Sequence, residues 1–193
     1  MKRLAEAILP TKWGNFTMIS YADAAENPMP HLALVAKDTD FEKAILVRVH
    51  SECMTGDTFG SKRCDCGEQL DTAMQMAAKE GGIIVYLRQE GRGIGLTNKL
   101  RAYNLQDQGL NTIDANTHLG FEADARQYDI AIEILQDLGV KEIALLTNNP
   151  LKIKALENSP VKVEKRIPLI IQPQQDNANY LQTKKDLMGH LLK

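Results

Sequence analysis

The three cysteines of this 193-residue chain are the residues whose type and spacing point most directly to chemistry. They lie close together in the sequence, as Cys53, Cys64 and Cys66. Three thiolates can hold a zinc ion and leave its fourth tetrahedral position for water. A zinc ion with an open position lowers the pKa of its bound water to about 7. The spacing therefore favours a hydrolytic metal site over a structural one.

Other interpretations of the cysteines stay open at this stage. A fourth ligand from His50 or His118 would close the coordination shell and make the zinc structural. The thiols could also be inert or redox-active. A disulfide would leave one cysteine over, and Cys64 and Cys66 are too close in the sequence to bridge each other easily.

A second candidate motif is the glycine-rich segment Arg88–Leu96, which joins a predicted strand to a predicted helix. Gly91, Gly93 and Gly95 allow the backbone to approach a ligand closely. Arg88 and Arg92 supply guanidinium groups suited to phosphate, and the following helix offers its N-terminus to an anion. The segment predicts a polyphosphate cradle, although a flexible turn with solvated arginines is an equally simple account. It matches neither the dinucleotide fingerprint nor the P-loop.

Five other candidate residues have both a functional and a structural interpretation. Strand alternation places Arg48 and His50 on one face, where a solvated edge is the simplest account of His50. Asp124 is a good N-cap for a helix that ends at Gly139, which would place Arg126 in the first helical turn. Tyr103 shares a helical face with Leu100, so core packing is its default explanation.

Bulk properties describe an ordinary globular protein. The chain is 44% apolar and 25% charged, with a net charge of −2 that argues against a broad nucleic-acid surface. We expect no signal peptide and no membrane span. Clustered free thiols fit a reducing compartment, so the expected location is cytoplasmic.

The order of predicted elements indicates an α/β fold, with a mixed β-sheet flanked by helices and an N-terminal part of mostly antiparallel strands. We expect residues 1–193 to form a single domain. The predicted strands are Leu4–Leu9, Phe16–Tyr21, His31–Lys37, Ala44–His50, Ile83–Leu87, Glu142–Leu146 and Val161–Ile171. The predicted helices are Glu68–Lys79, Thr97–Gln108, the helix from Asp124 to Gly139, a helix from Asn149 to about Glu157, and Asn177–Leu192.

Taken together, these motifs resemble the GTP cyclohydrolase II family of riboflavin biosynthesis. The resemblance runs over nearly the whole chain, in the same order. The segments that carry it are Arg48–Cys53, Lys62–Gly67, Arg88–Leu96 with Asn98 and Lys99, Arg101–Tyr103 with Leu105–Gly109, and Thr147–Pro150.

The resemblance implies hydrolysis of GTP to formate, pyrophosphate and 2,5-diamino-6-ribosylamino-4(3H)-pyrimidinone 5′-phosphate. It implies one Zn²⁺ per subunit on Cys53, Cys64 and Cys66, Mg²⁺ with the GTP phosphates, and a homodimer, with no nucleic acid or membrane as partner. The zinc would activate the water that attacks C8 of guanine.

The resemblance also implies roles for particular residues. Tyr103 would take part in proton transfer, and Arg126 would be the nucleophile on the α-phosphorus with Asp124 as general base. A guanidinium with a pKa above about 12 is a poor nucleophile, so stabilising the charge of the leaving pyrophosphate is the milder role for Arg126. The implied substrate-binding residues are Arg48, Val49, His50, Ser51, Glu52, Gln69, Glu90, Gly91, Arg92, Thr112, Thr147 and Lys152.

Overall fold

One sheet runs through the computed structural model, which describes residues 1–122, 124–174 and 176–192. Within these residues seven strands form the sheet in the order β1-β2-β3-β5-β4-β6-β7. The strands are β1 (Lys2–Pro10), β2 (Asn15–Ala22), β3 (His31–Ala36), β4 (Ile45–Ser51), β5 (Gly82–Leu87), β6 (Glu142–Leu146) and β7 (Lys162–Ile167).

The sheet is antiparallel in its N-terminal part and parallel in the rest. Strand β2 pairs antiparallel with β1 and with β3, and β3 pairs antiparallel with β5. Strand β4 pairs parallel with β5 and with β6, and β6 pairs parallel with β7. Strands β4 and β5 are almost fully buried because helices cover both of their faces. The predicted α/β class with a mixed sheet is confirmed.

Seven α-helices accompany the sheet in the part of the chain that the structure describes. Among these residues, none of the helices is long and apolar enough to cross a membrane. The helices are α1 (Met54–Asp57), α2 (Cys66–Glu80), α3 (Gly95–Asp107), α4 (Thr112–His118), α5 (Asp129–Asp137), α6 (Pro150–Glu157) and α7 (Ala178–Met188).

Two apolar cores lie on opposite faces of the sheet. Helices α5 and α6 pack on one face, where Ile134 and Leu135 meet the odd-numbered apolar side chains of β4. Helix α2 packs on the other face through Ala73, Met74 and Ala77. Because side chains alternate along a strand, Arg48 and His50 share the α2 face with Leu46. This placement buries two polar side chains in a central strand.

Some predicted boundaries are wrong. The helix predicted to start at Asp124 begins instead at Asp129, since the Asp124 carboxylate is bonded to Arg126 and caps nothing. The last predicted strand ends at Ile167, four residues early. Helices α1 and α4 were not predicted, although Asn111 caps α4 by accepting hydrogen bonds from two backbone N–H groups.

Leu135 tests the packing of α5 on the sheet. Its side chain is fully buried, so Leu135→Ala should lower the free energy of unfolding by about 2–5 kcal/mol through lost burial and a cavity. Leu151→Ala, at a position 48% exposed on α6, is the matched control and should change it by about 0.5 kcal/mol or less. Denaturant unfolding followed by circular dichroism measures both. Equal losses in the two variants would contradict the assigned core.

Candidate active site

The candidate site is a cleft at the carboxyl ends of the parallel strands. Strands β4, β5 and β6 end at Ser51, Leu87 and Leu146, and the loops that follow them line one cleft. Ligands bind at this edge in open α/β sheets. The cleft contains about 1020 Å³ of space, counting the part open to solvent.

The three cysteines converge in the wall of this cleft. The sulfur atoms of Cys53, Cys64 and Cys66 lie within 4.8 Å of one another, and all three are free thiols. The Sγ atoms of Cys53 and Cys64 are 3.6 Å apart. Thiolates bound to a tetrahedral zinc at about 2.3 Å lie about 3.8 Å from each other. The arrangement therefore fits a zinc ion.

Two glycines make this convergence possible. A Cβ on Gly56 would lie 2.9 Å from Sγ of Cys64 and 3.2 Å from Sγ of Cys53. A Cβ on Gly67 would lie 2.4 Å from the carbonyl oxygen of Gly56. The turn at α1 and the start of α2 can approach this closely only because both positions lack a side chain.

Neither candidate histidine completes a four-ligand site. Nε2 of His50 is 3.1 Å from the Asp57 carboxylate, and His118 is exposed on α4. Among the described residues, the three thiols form the one group of three or more His, Cys, Asp or Glu ligands that could hold a metal. The cluster thus offers three ligands on the wall of a cleft, which is the pattern of a catalytic site.

A lysine ammonium lies beside this cluster and stabilises negative charge on the Cys53 sulfur. Nζ of Lys99 is 3.1 Å from Sγ of Cys53 and 2.8 Å from Oε1 of Glu90. The pKa of Cys53 is lowered because the Cys64 and Cys66 thiols donate hydrogen bonds to its sulfur, with help from the charge of Lys99. The hydrogen bond to Cys53 raises the pKa of Cys64 to about 11. Metal binding would therefore release protons from the cluster.

A buried network behind the cysteines was not predicted from the sequence. The Asp57 carboxylate accepts hydrogen bonds from the Tyr86 hydroxyl at 2.9 Å and from the Cys53 N–H at 3.0 Å. Burial and the nearby Arg48 lower the pKa of His50, so its ring is neutral and donates from Nε2 to Asp57. Nδ1 of His50 has no partner among the described residues. His50 is buried and lines the cleft, so its interpretation as a solvated edge residue is wrong.

Six basic side chains line the cleft, namely Arg48, Arg92, Lys99, Arg126, Lys152 and Lys184. The Lys152 ammonium is buried and donates a hydrogen bond to the carbonyl of Val49 at 2.8 Å. Its pKa lies well below its usual range because of burial and the neighbouring charges of Arg48 and Arg126. A polyanion in the cleft would relieve this repulsion. The concentration of positive charge therefore favours a polyanionic ligand.

The glycine-rich segment turns sharply between β5 and α3. Gly91 and Arg92 both have φ of +63° and Gly93 has φ of +95°, so three successive residues are left-handed. For Arg92 this conformation is strained, as is common at functional sites. Arg92 lines the cleft. Arg88 instead pairs with Glu52 at 2.6 Å, so only one of the two predicted arginines of the cradle reaches the cleft.

Asp124 and Arg126 form a tight pair in the loop before α5. Nε and Nη2 of Arg126 donate to the two carboxylate oxygens of Asp124 at 2.7 and 2.5 Å. Burial alone would raise the pKa of Asp124, but hydrogen bonds and charge from Arg126 outweigh it and lower that pKa. The sequence prediction of Asp124 as a helix cap is wrong because its oxygens are used here.

Tyr103 lines the cleft, whereas Leu100 on the same helix is 48% exposed. Core packing as the explanation of Tyr103 is therefore wrong. Its hydroxyl lies 3.4 Å from Oγ1 of Thr55, a residue that also contacts Cys53, and burial raises its pKa. The hydroxyl is thus a protonated group close to the cysteines.

The structure brings most of the residues singled out in the sequence to one place. Among the implied catalytic, substrate-binding and zinc-binding residues, two do not line the cleft: the Val49 side chain is in the core and Asp124 lies behind Arg126. The residues that do line it are Cys53, Cys64, Cys66, Tyr103, Arg126, Arg48, His50, Ser51, Glu52, Gln69, Glu90, Gly91, Arg92, Thr112, Thr147 and Lys152.

Several residues of the cleft carried no assigned role in the sequence. Lys99 stood inside a quoted motif, one turn beyond the glycines, and that position could have suggested it. Asn148 likewise stood inside a quoted motif, Thr147–Pro150. Lys184 and His190 had no comparable signal, because they reach the cleft only through the fold.

Comparisons with known proteins agree with these features. A model of the family described as GTP cyclohydrolase II matches residues 2–168. A protein named GTP cyclohydrolase-2 from Shewanella sediminis is 50% identical over 193 residues, which are 100% of this chain and 94% of that protein.

Other relatives are longer. The riboflavin biosynthesis protein RibBA of Chlorobium phaeovibrioides is 51% identical over 193 residues, which are 100% of this chain and 47% of that protein. This chain therefore spans about half the length of such relatives. The solved structure of RibBX, a two domain 3,4-dihydroxy-2-butanone 4-phosphate synthase from A. baumannii, has a TM-score of 0.47 and 26% identity, over 86% of this chain and 40% of that one.

Gly56 tests whether close packing creates the metal site. Gly56→Ala should push the Cys53 and Cys64 sulfurs apart and lower the zinc content of the purified protein at least tenfold. Gly60→Ala is the control: Gly60 is in the same loop, and a Cβ there meets nothing within 4 Å. Because the Gly60 backbone is left-handed, Gly60→Ala should lower the free energy of unfolding by about 1 kcal/mol, but zinc should be retained. Elemental analysis after dialysis measures both, and full zinc in Gly56→Ala would contradict the packing argument.

Proposed function

Because the chain belongs to the GTP cyclohydrolase II family, we propose that it catalyses the zinc-dependent hydrolysis of GTP in riboflavin biosynthesis. The proposed products are 2,5-diamino-6-ribosylamino-4(3H)-pyrimidinone 5′-phosphate, formate and pyrophosphate. One observation carries the proposal: three free thiols and six basic side chains line the same cleft. The thiols provide a site for hydrolysis of the base, and the cations provide a site for the triphosphate.

The thiol cluster would hold one zinc ion per subunit. When bound, zinc supplies a Lewis acid that lowers the pKa of water for hydrolysis at C8 of guanine. The protein contributes the arrangement of Cys53, Cys64 and Cys66, and the Lys99 ammonium balances part of their charge. The Tyr103 hydroxyl is close enough to this region to pass a proton during ring opening.

The base would lie beside the cysteines. His50 Nδ1 is an unused acceptor among the described residues, and Gln69 lines the same wall. The Glu90 carboxylate already accepts hydrogen bonds from the N–H groups of Met54 and Gly91 and from Lys99. A carboxylate has about four acceptor sites, so one is available to the guanine amino group. Adenine lacks the 2-amino group and the N1–H of guanine, so in the same position it would leave the Glu90 acceptor unpaired.

The triphosphate, with its Mg²⁺, would lie against Arg92, Arg126 and Lys152. Arg126 is held by two hydrogen bonds to Asp124, and Asp124 is a weak base because its pKa is lowered. A weak base cannot readily deprotonate a guanidinium, so we assign Arg126 the stabilisation of charge on the leaving pyrophosphate. Asp124 then fixes the orientation of the guanidinium.

Two further assignments complete the proposal. The enzyme would act as a homodimer, as its family resemblance implies. Its closely spaced free thiols fit a reducing compartment such as the cytoplasm.

Four more residues that line the cleft would be additional contacts to GTP, namely Ser51, Glu52, Thr112 and Thr147.

The first test is product analysis. The zinc-loaded protein should release formate and pyrophosphate from GTP with Mg²⁺, both measured in the same reaction. Cys64→Ser should lose zinc and all formate release, whereas Ser61→Ala, from the same loop, should keep both. Zinc content is determined independently of activity.

Two other outcomes of the product analysis would change the proposed function. Pyrophosphate without formate from the wild type would indicate a product that keeps the formyl group. Binding of GTP with neither product would contradict the enzyme and favour a nucleotide-binding regulatory protein.

The role of Arg126 is tested separately. Arg126→Met should lower the rate of pyrophosphate release by about 100-fold or more, with zinc content unchanged. Arg126→Lys keeps the charge and should be faster than Arg126→Met. Mass spectrometry of enzyme quenched during turnover should show no covalent nucleotide. A guanylyl adduct that is absent in Arg126→Met would instead identify this residue as the nucleophile.

A further inference from the structure

The C-terminal helix α7 (Ala178–Met188) and the residues after it form one side of the cleft. They lie beyond residues 2–168, the segment that the family model matches. Lys184, Met188 and His190 nevertheless line the cleft together with Arg48, Gln69 and the cysteines. The site therefore includes side chains to which the family match assigns nothing.

The backbone after α7 is fixed against the parallel strands. Gly189 is left-handed, with φ of +63°, and ends the helix. The N–H of His190 then donates to the carbonyl of Lys184 at 3.0 Å, and the N–H of Leu191 donates to the carbonyl of Asn148 at 2.9 Å. Asn148 follows β6 and also lines the cleft. These bonds hold α7 in a defined position at the edge of the site.

Lys184 connects α7 to the loop that carries the cysteines. Its Nζ is 2.6 Å from Oδ1 of Asp65, and the two side chains are 10% and 2% exposed. Asp65 stands between Cys64 and Cys66 in the sequence. A carboxylate this deeply buried requires a paired cation. Lys184 supplies that cation.

The ion pair continues into the cleft through two further hydrogen bonds. The second oxygen of Asp65 accepts a hydrogen bond from Nε2 of Gln69 at 2.6 Å. Oε1 of Gln69 in turn accepts one from Nη2 of Arg48 at 2.6 Å. The amide of Gln69 can satisfy both neighbours in one orientation only, because Asp65 needs a donor and Arg48 an acceptor.

Arg48 is the end of this chain of contacts and lines the cleft. Its Nη1 donates to the carbonyl of Leu146 at 3.2 Å, and its Nε has no partner among the described residues. The guanidinium is thus held at two of its nitrogens, one through Gln69. If Lys184 lost its charge, the Asp65 carboxylate would be free to pair with another cation. The next cation along this chain of contacts is Arg48.

We propose that Lys184 is a positioning residue for the substrate: through Asp65 and Gln69 it fixes the guanidinium of Arg48 in the cleft. The choice of GTP as the probe rests on the proposed function. Lys184 would then control how tightly the nucleotide is held more than how fast it reacts once bound.

Steady-state kinetics with the full-length, zinc-loaded protein tests this role. Lys184→Met should raise KM for GTP about tenfold or more and change kcat less than threefold, with zinc content unchanged. Lys184→Arg keeps a cation and should recover most of the wild-type KM. Lys185→Met is the matched control, since Lys185 is the next residue on α7 and is exposed; it should behave as the wild type.

A double-mutant cycle separates positioning from simple anchoring of the helix. If Lys184 acts through Asp65, then Lys184→Met should raise KM by less than threefold in an Asp65→Asn background. An unchanged KM in Lys184→Met, an equal effect in Lys185→Met, or additive effects in the cycle would overturn the proposal. A lower thermal stability with unchanged KM would show that Lys184 only anchors α7, and would overturn it too.

Failure of the proposed function is distinguishable from failure of this inference. If the wild type does not turn GTP over, the same variants are compared by calorimetric binding of GTP. A weaker affinity in Lys184→Met alone would support the positioning role without any catalysis. Equal affinities, or no binding of GTP by the wild type, would overturn it.

Discussion

Positive charge buried at the carboxyl ends of three parallel strands is the constraint on which this structure depends. Arg48 and Lys152 are 6% and 4% exposed, and an isolated cation in such a place is costly. Carbonyl oxygens at the strand ends offset part of that cost, since Leu146 accepts a hydrogen bond from Arg48 and Val49 accepts one from Lys152. The strand ends therefore hold the cations in place even before any ligand is bound.

Pairing of opposite charges also links two sides of the cleft, the cysteine loop and the glycine-rich turn. The Cys53 sulfur carries negative charge beside Lys99, which also pairs with Glu90 of the glycine-rich turn. The N–H of Met54, next to Cys53, donates to the same Glu90 side chain. Turn and cysteine loop thus share one carboxylate and one ammonium. A shift in either would disturb both, so the cysteine cluster and the glycine-rich side of the cleft cannot be arranged independently.

How much the sequence could predict depended on whether a signal was local. The β4 and β5 strands, the helix starting at Asn149 and Pro150, and the proximity of the cysteines all follow from runs of adjacent residues. Asp124 was misinterpreted because a carboxylate before a helical pattern resembles an N-cap, whereas tertiary contact with Arg126 uses its oxygens. Tyr103 was misinterpreted because helical periodicity does not distinguish a side chain facing the core from one facing a cleft. Asp57 and Lys184 had no local signal, since their partners come from other elements.

The site is consequently a product of the whole fold. Arg48 bonds to a carbonyl 98 residues away, Lys152 to one 103 residues away, and Lys184 to a carboxylate 119 residues away. None of these contacts can form until the parallel strands have paired and α7 has docked. The cleft is therefore complete only when two distant elements are both in place: α7, which is joined to the cysteine loop through Lys184 and Asp65, and β4, which carries Arg48.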